Sequence, residues 1–375
     1  MKTSKSDFIP FHKPSIETEE EEAVLSVLRS GWLTTGEKAE EFERVFADYV
    51  GANHAMAVNS ATAGLFLSLK ALNIQPNEQV ITTPYTFIST AEVIEWCGAK
   101  PKFFDVDENT YNINPKNLKN LPYNSTIIPV HIAGTKCDME KIYPLFPNGN
   151  IVEDCAHYFP SKFDERSTTA VYSFYSTKSI TTGEGGMVVT NDKHIAERIK
   201  SLRYHGIRKN AWDRYTSTEN NWYYEVHELG YKFNMSDIPA ALGLVQLKRA
   251  KRLLHQRQAI AIRYNLAFEN FDFIKTPVVQ FDNTWHLYMI RLIPENLKIG
   301  RDFFIKKLTE FGIGVSVHFI PLHLMPYYSA VKQSFPVAER LYETSISLPI
   351  FPDMTDEQVE KVIKIVKDIG EAYHK

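Results

Sequence analysis

Short apolar runs alternate with segments of helical periodicity through the N-terminal two thirds of this 375-residue chain. The clearest helical periodicity covers residues 19–28, 38–49 and 65–72. Alternation of this kind predicts an α/β fold, in which a mainly parallel sheet carries helices on both faces. The strand-like runs cover residues 55–58, 79–83, 102–104, 126–130, 151–152, 171–173 and 187–190.

The pattern changes in the C-terminal part of the chain. We therefore predict two domains, a large one over residues 1–247 and a smaller α+β domain over residues 248–375. A helix over residues 246–256 is expected to join them. In the smaller domain we expect strands at residues 286–292 and 314–318 and helices at residues 301–311 and 355–373.

Polar and aromatic residues follow several of the strand-like runs. In a parallel α/β sheet the ligand lies beyond the carboxyl ends of the strands. Residues in these positions should therefore come together in the folded chain. They are residues 59–62 and 85–87, His131, Asp154 and Ser173.

Lys178 lies in the most informative of these connections. Small hydroxylated residues surround it, and a glycine-rich turn over residues 183–186 follows it. A lysine and a strand-terminal aspartate in one cavity are the parts needed to use pyridoxal phosphate: the amine binds the cofactor covalently, and the carboxylate keeps its ring nitrogen protonated. Taken singly, each residue has a simpler interpretation, with Lys178 on the surface and Asp154 as a helix cap.

Charge and composition narrow the range of partners. The formal net charge of −3 gives no reason to expect nucleic acid. Cys97, Cys137 and Cys155 have neither disulfide nor metal-ligand spacing, so we expect no metal and a reducing compartment. No segment approaches membrane-spanning length, and we expect a cytoplasmic protein without a membrane partner.

A series of short motifs runs along nearly the whole chain. Besides the Lys178 segment, they are Ser30-Gly31-Trp32-Leu33-Thr34-Thr35-Gly36, Asn59-Ser60-Ala61-Thr62-Ala63-Gly64, Thr86-Phe87-Ile88-Ser89-Thr90, Pro129-Val130-His131-Ile132-Ala133-Gly134, Glu153-Asp154-Cys155-Ala156-His157, Gly230-Tyr231-Lys232-Phe233-Asn234-Met235-Ser236-Asp237 and Ser347-Leu348-Pro349-Ile350-Phe351-Pro352. Each motif alone is a weak signal, but their order and spacing together are specific. With them the chain resembles the DegT/StrS family of pyridoxal-phosphate-dependent sugar-nucleotide aminotransferases, which have the type I fold of aspartate aminotransferase.

The resemblance implies roles for the central residues. Lys178 would carry the cofactor and, once released, move a proton between substrate and cofactor, whose amine form is pyridoxamine phosphate. A lysine here also argues against the dehydratase branch of the family, in which a histidine replaces it. Asp154 would pair with the ring nitrogen. His157 matches a position that packs over or beside the ring, with a buried core histidine as the alternative.

Four further residues match cofactor-binding positions of the family. Ala61 and Thr62 open a helix after a strand, so their N–H groups and the Thr62 hydroxyl would hold the phosphate, although an ordinary helix cap has the same pattern. Phe87 matches an aromatic residue that stacks on the ring, with simple core packing as the alternative. Ser173 matches a hydroxyl that contacts the phosphate.

One motif departs from the family pattern. Many relatives read Gly-Tyr-Asn-Tyr-Arg-Met where this chain has Lys232 and Asn234. The family asparagine reaches the phosphate bound by the neighbouring subunit, so the resemblance implies a homodimer whose active sites are shared across the interface. Either Asn234 or Lys232 would make that contact here, with Asn234 slightly favoured.

The substrate expectations rest on analogy within the family. The pattern at positions 232 and 234 resembles the branch that aminates UDP-linked 4-keto sugars, with L-glutamate as the amino donor. Sugars linked to dTDP or GDP, and amination at C3, remain alternatives. The expected substrate-binding residues, for which plain packing is an equal alternative, are Trp32, Thr34, Thr35, His318, Phe319 and His323.

Two rival functions stay open at this point. The chain could be a non-catalytic regulator on a cofactor-binding fold, since fold does not determine function. It could also catalyse β-elimination or desulfuration, although no cysteine lies in a recognisable nucleophile loop. The presence of both Lys178 and Asp154 favours the aminotransferase, which should show ping-pong kinetics.

Overall fold

A seven-stranded sheet forms the centre of the protein. The computed structural model describes residues 8–119, 121–207 and 223–375. The strands are β1 His54–Val58, β2 Gln79–Thr82, β3 Lys100–Phe103, β4 Thr126–Ile127, β5 Asn150–Asp154, β6 Thr169–Ser173 and β7 Gly186–Thr190. Their order across the sheet is β1-β7-β6-β5-β4-β2-β3. The predicted α/β fold is confirmed.

Strand direction fixes where the polar strand ends meet. Strands β3, β2, β4, β5 and β6 pair in parallel, whereas β7 is antiparallel to both β6 and β1. The carboxyl ends of β5 and β6, at Asp154 and Ser173, therefore lie side by side at one edge of the sheet.

Helices cover both faces of this sheet, as the alternating pattern predicts. In β1, Met56 and Val58 belong to one buried cluster while Ala55 and Ala57 belong to another, because successive side chains point to opposite faces. The helices in this part of the chain are Thr18–Ser30, Glu37–Val50, Ala61–Ala71, Ser89–Trp96, Met139–Ile142 and Lys193–Leu202.

A second, antiparallel sheet lies in the C-terminal part of the chain. Its strands are β8 Ile274–Lys275, β9 Tyr288–Leu292 and β10 Ser345–Leu348, in the order β10-β9-β8. The helices around it are Arg301–Glu310, Pro336–Thr344 and Asp356–Ala372. The hydroxyl of Thr355 caps the last of these helices as part of a capping box with Gln358.

One long helix, Asp237–Phe268, runs between the two hydrophobic cores. Leu244, Leu247, Ala250 and Leu253 pack in the core beneath the large sheet. The later turns of the same helix, with Ile260, Ala261, Tyr264 and Phe268, pack in the core of the small sheet. The boundary proposed at residue 247 falls inside this helix, and the division into two domains remains a proposal.

The strand predicted at residues 314–318 was wrong. Its backbone is divided between two short contacts: Gly314 pairs with Ile9, and Ser316 forms a single bridge with Ser347. No continuous ladder forms. Among the described residues, no helix is both long and apolar enough to span a membrane.

Candidate active site

A cavity of about 460 Å³ opens beyond the carboxyl ends of β5 and β6. The predicted convergence of polar strand ends is met by residues 60–62 and 86–87, Asp154 and Ser173, whereas Asn59, Tyr85 and His131 do not line the cavity. Residues from both parts of the chain contribute to the lining. The predicted site residues that line it are Ala61, Thr62, Phe87, Asp154, His157, Ser173, Lys178, His318 and Phe319.

Asp154 is buried at the end of β5 and held by two donors. The Ala156 N–H donates to Oδ1 at 3.1 Å, and the Thr90 hydroxyl donates to Oδ2 at 3.0 Å. The Thr90 hydroxyl has one proton, and it donates that proton to the carboxylate. The Thr86 hydroxyl, 2.9 Å from Thr90, must therefore be the donor in the bond between the two threonines. No helix begins after Asp154, so the alternative role as a helix cap does not apply.

Burial raises the pKa of Asp154, while these two donors and the charge of Lys178 lower it. The donors therefore favour the ionised form of a carboxyl group that has little contact with water. Such a carboxylate is suited to pairing with a protonated ring nitrogen.

Lys178 lies in the turn between β6 and β7. Burial lowers the pKa of its amine from 10.5 to about 8, against the opposing charge of Asp154. About a fifth of the amine is thus neutral at pH 7.4, against about a thousandth for an unperturbed lysine, and the neutral amine is the form that attacks an aldehyde.

The helix Ala61–Ala71 points its first turn into the cavity. The Ser60 hydroxyl caps it by accepting from the Ala63 N–H at 3.1 Å. The first N–H groups of a helix have no partner within it, so those of Ala61 and Thr62 can bind an anion. Gly186 allows this approach, since a Cβ there would lie 2.7 Å from the Ala61 nitrogen.

Aromatic rings form the opposite side of the cavity. The ring of Phe319 stacks on His157 at a centroid distance of 5.7 Å, and the Phe87 ring lies 6.4 Å from Phe319. His157 Nδ1 accepts from the Ala133 N–H at 3.3 Å, so its other nitrogen carries the proton of the neutral ring. Burial holds the pKa of His157 well below its usual value.

His318, from the same side, accepts or donates at Nδ1 with the Ser347 hydroxyl at 2.8 Å. Burial lowers its pKa to about 4, so this imidazole is neutral at physiological pH. Ser173 accepts the Tyr175 N–H at 3.3 Å and keeps its own proton available toward the cavity.

Sequence reasoning missed several lining residues. His12 lies 274 positions before His286, and no local motif links them. Thr86 lines the cavity, and Thr90 donates to Asp154 behind it. The signal in the sequence is their spacing of four residues, which would place both hydroxyls on one face of a helix. Glu184, in the glycine-rich turn, also lines the cavity and is exposed.

Other predicted residues do not line this cavity within the described chain. Asn234 donates its amide to the Thr35 hydroxyl at 2.5 Å, and that hydroxyl donates to the Met235 carbonyl. Lys232 is exposed, with its ammonium 4.4 Å from the ring centroid of Tyr204.

The remaining predicted substrate residues have partners of their own. The Trp32 indole donates to the Thr35 carbonyl at 3.2 Å, and the Thr34 carbonyl accepts from the Asp237 N–H. His323 is buried and pairs with Glu339 at 2.9 Å. A role for these side chains in substrate binding remains a prediction.

A second buried polar group adjoins Asp154. His131, Glu153 and Cys155 lie close enough together to resemble metal ligands. However, His131 Nδ1 accepts from the Cys137 N–H, and Nε2 donates to Glu153 at 2.7 Å. Ser167 donates to the other oxygen of that carboxylate. These hydrogen bonds explain why the His131 and Glu153 side chains lie together in the interior.

The cavity has the donor set that pyridoxal phosphate requires. An amine of low pKa, a buried carboxylate held by two donors, an open helix N-terminus and flanking aromatic rings surround one space. Each is suited to a different part of the cofactor, which are the aldehyde, the ring nitrogen, the phosphate and the ring face.

Comparison with known proteins agrees with this geometry. The DegT/DnrJ/EryC1/StrS aminotransferase family model matches residues 14–367. The uncharacterized protein MJ1066 of Methanocaldococcus jannaschii is 47% identical, over 97% of this chain and 98% of its own. The spore coat polysaccharide biosynthesis protein SpsC of Bacillus subtilis is 43% identical, over 98% of this chain and 99% of its own.

Solved structures show the same fold. PseC of Helicobacter pylori, an aminotransferase involved in the biosynthesis of pseudoaminic acid, superposes with a TM-score of 0.89 at 29% identity, covering 98% of this chain and 100% of PseC. Spr1654 of Streptococcus pneumoniae, in its PMP form, gives 0.89 at 30% identity, covering 97% and 99%. The chain belongs to the DegT/DnrJ/EryC1/StrS aminotransferase family and is a type I fold enzyme that uses pyridoxal phosphate.

Proposed function

We propose that this enzyme transfers an amino group from L-glutamate to a nucleotide-linked keto sugar, most simply a UDP-linked 4-keto hexose or pentose. The observation that carries the proposal is the placement of Lys178 and Asp154 in one buried cavity. This pair supplies an amine that can act as a nucleophile and base, and a carboxylate that stabilises a protonated ring nitrogen.

The bound cofactor supplies an electron sink that stabilises negative charge on the substrate carbon. Side chains of the enzyme would transfer the proton and orient the cofactor. With the cofactor and amino donor bound, the Lys178 amine would act as the base that takes the α-proton from the donor carbon and as the acid that returns it. Asp154, whose carboxylate is fixed by Thr90 and Ala156, would hold the ring nitrogen in its protonated state. With a keto sugar bound, Lys178 moves the proton in the reverse direction.

The remaining cofactor contacts follow from their places on the cavity wall. The N–H groups of Ala61 and Thr62, with the Ser173 hydroxyl, would bind the phosphate. His157, whose other face packs on Phe319, would cover the ring and exclude water. Phe87 is 58% exposed, a large apolar surface that a ring could cover.

Of the two candidates for the contact with the phosphate of the neighbouring subunit, we favour Lys232 over Asn234. Asn234 already donates its amide within the chain to Thr35. The ammonium of Lys232 is exposed, and its contact with Tyr204 is a cation–π interaction that leaves the charge available. We propose a homodimer in which Lys232 of one protomer reaches the phosphate bound by its partner, with Asn234 supporting the loop that carries it.

The sugar class is supported by relatives. SpsC acts in spore coat polysaccharide biosynthesis, and PseC in the biosynthesis of pseudoaminic acid. A role in making amino sugars for a surface polysaccharide or glycolipid fits both. The dTDP- and GDP-linked sugars and C3 amination remain alternatives.

The test follows the visible absorbance of the purified enzyme. L-Glutamate should bleach it by converting the cofactor to its amine form, and a keto sugar should then restore it. A panel of UDP-, dTDP- and GDP-linked 4-keto and 3-keto sugars, each added to glutamate-treated enzyme, would identify the acceptor. If no amino acid bleaches the enzyme, the aminotransferase proposal fails and a regulatory role is favoured. Release of the amino group as ammonia instead would indicate elimination chemistry.

A further inference from the structure

Arg257 is a buried cation near the cavity wall. It lies in the helix Asp237–Phe268, between the turns that pack in the two cores, and is about 1% exposed. Its Nη1 donates to the carbonyl of Ile350 at 2.7 Å and reaches that of His286 at 3.4 Å. Both of those residues line the cavity.

The charge of Arg257 has no acidic partner among the residues that the structure describes, and its Nε lacks any hydrogen bond. Burial lowers the pKa of Arg257 to about 10, so it remains protonated at physiological pH. A buried charge without a counter-ion is costly. Its compensation is therefore expected from a bound anion.

His286 presents a second unsatisfied group at the same place. Its side chain lines the cavity, is 5% exposed, and has no partner at Nδ1. Its ring lies 4.3 Å from that of His157, centroid to centroid. A buried ring nitrogen without a partner is unfavourable, and a ligand oxygen could supply the missing hydrogen bond.

The other ionisable groups on the cavity do not supply the missing negative charge. Burial is the main reason that the pKa of His12 falls to about 3, and those of His286 and His157 are also lowered, so these rings are neutral. Asp154 is committed to the ring nitrogen. Glu184 is exposed at the edge of the cavity.

We infer that His286, with the charge of Arg257 behind it, forms the subsite for the α-carboxylate of the amino donor. This inference rests on the proposed function and names the part of the site that recognises the donor. The α-carboxylate is one bond from the carbon that reacts at Lys178, so it must lie deep in the cavity. The diphosphate of a nucleotide sugar lies beyond the sugar ring and would be farther away.

The two residues act differently in this subsite. The imidazole N–H of His286 donates directly to a carboxylate oxygen. Arg257 is a positioning residue, since its own donors reach backbone carbonyls of His286 and Ile350, and its fixed charge strengthens anion binding through a poorly screened interior.

The decisive experiment compares two donors that differ in one charge. L-Glutamate carries an α-carboxylate, and L-isoglutamine carries an uncharged α-amide in its place. The rate constant for bleaching is measured by rapid mixing for each donor, with the wild type, His286→Phe, His286→Asn and Arg257→Met. The dissociation constant of α-methyl-L-glutamate, which has no α-proton to transfer, gives a binding readout without turnover.

We expect His286→Phe and Arg257→Met to slow bleaching by glutamate and to weaken the binding of α-methylglutamate, each by about 10- to 100-fold. Bleaching by isoglutamine should slow by less than about threefold. His286→Asn should recover part of the loss, because its amide can donate near the position of Nδ1. Arg263→Met is the matched control: Arg263 is on the same helix and pairs with exposed Asp356 and Glu360. Arg263→Met should leave the bleaching rate constants of both donors unchanged.

An equal loss for glutamate and isoglutamine would overturn the inference and show that the two residues serve only the structure. So would unchanged constants for both donors. If Arg257→Met does not fold, the His286 variants decide alone. A wild type that no amino acid bleaches would overturn the proposed function and the inference with it, whereas bleaching that the variants leave unchanged overturns the inference only.

Discussion

The two sides of the active-site cavity are built in contrasting ways. One side, here called the floor, consists of Ser60–Thr62, Asp154, Ser173 and Lys178 at the strand ends. The other, here called the wall, consists of His12, His286, His318 and Phe319, which come from distant parts of the chain. The carboxylate of Asp154 on the floor is fixed by donors from Thr90 and Ala156, whereas His286 on the wall has a ring nitrogen without a partner. We therefore expect the floor to hold the cofactor throughout the reaction, and the wall to bind substrates that enter and leave in each cycle.

The largest expected effect comes from removing the reactive amine of the floor. Lys178→Ala should lower the rate of amino transfer by about 10⁴-fold or more, because nucleophile and proton carrier are lost together. The measurement is the rate of bleaching by glutamate. Borohydride treatment followed by peptide mass analysis should attach the cofactor to the Lys178 peptide of the wild type and to no peptide of the variant. Attachment at another lysine would remove the basis of the floor assignment.

A smaller effect is expected in the pH dependence of the cofactor-free protein. The folded state holds the Lys178 proton only up to about pH 8, whereas an unperturbed lysine holds it up to 10.5. The unfolded state therefore binds more protons between these values, and stability rises with pH across that window. Relative to Lys178→Met, the wild type should gain about 3 kcal/mol of unfolding free energy between pH 8 and pH 10.5.

Chemical denaturation of both proteins across this pH range provides the measurement. Other groups titrate there as well, but they are common to the two proteins and cancel in the difference. A constant difference from pH 8 to pH 10.5 would mean that the Lys178 amine keeps its ordinary pKa, and that the floor does not activate it.

The smallest effect concerns the hydroxyl pair behind Asp154. Thr90→Val removes the donor to Oδ2, which should raise the pKa of Asp154 and weaken cofactor binding by about tenfold. Thr90→Ser keeps the donor and should bind as the wild type does. Thr86→Val acts one hydrogen bond farther away and should cost less.

Titration of the cofactor-free proteins with pyridoxal phosphate gives each dissociation constant. Repeating it at lower pH separates charge from packing. Since the Thr90 donor favours the ionised carboxylate, its loss should move the acid limb of cofactor binding to higher pH. Equal acid limbs in Thr90→Val and the wild type would show that the donor fixes geometry without tuning charge.

The floor could be predicted from the sequence because its signals are local. Asp154 and Ser173 end apolar runs, and Ser60 precedes a helical segment, so a parallel sheet necessarily brings them to one edge. Lys178 is marked by its glycine-rich surroundings. In each case, periodicity over a few residues and one rule of sheet topology determine the position.

The wall could not be predicted in the same way. His286 opens the strand predicted at residues 286–292 but lies before β9 in the structure, and His12 lies in an irregular segment, so the direction of neither side chain follows from a periodic pattern. Their proximity depends on how the small sheet packs against the large one. His323 illustrates the opposite error: it is close in sequence to His318, yet it is buried against Glu339 while His318 lines the cavity. Side chains that are close in sequence need not point to the same part of the structure where the backbone is irregular.

The helix Asp237–Phe268 has a mechanical consequence for how ligands enter. Its 32 residues form a rod about 48 Å long with one end fixed in each core. Because bending it would break consecutive backbone hydrogen bonds, the two cores cannot swing apart as they could on a flexible linker. We therefore expect admission of a bulky acceptor to depend on side-chain rotation and shifts of surface loops at the cavity mouth, with the angle between the two sheets nearly constant through the catalytic cycle.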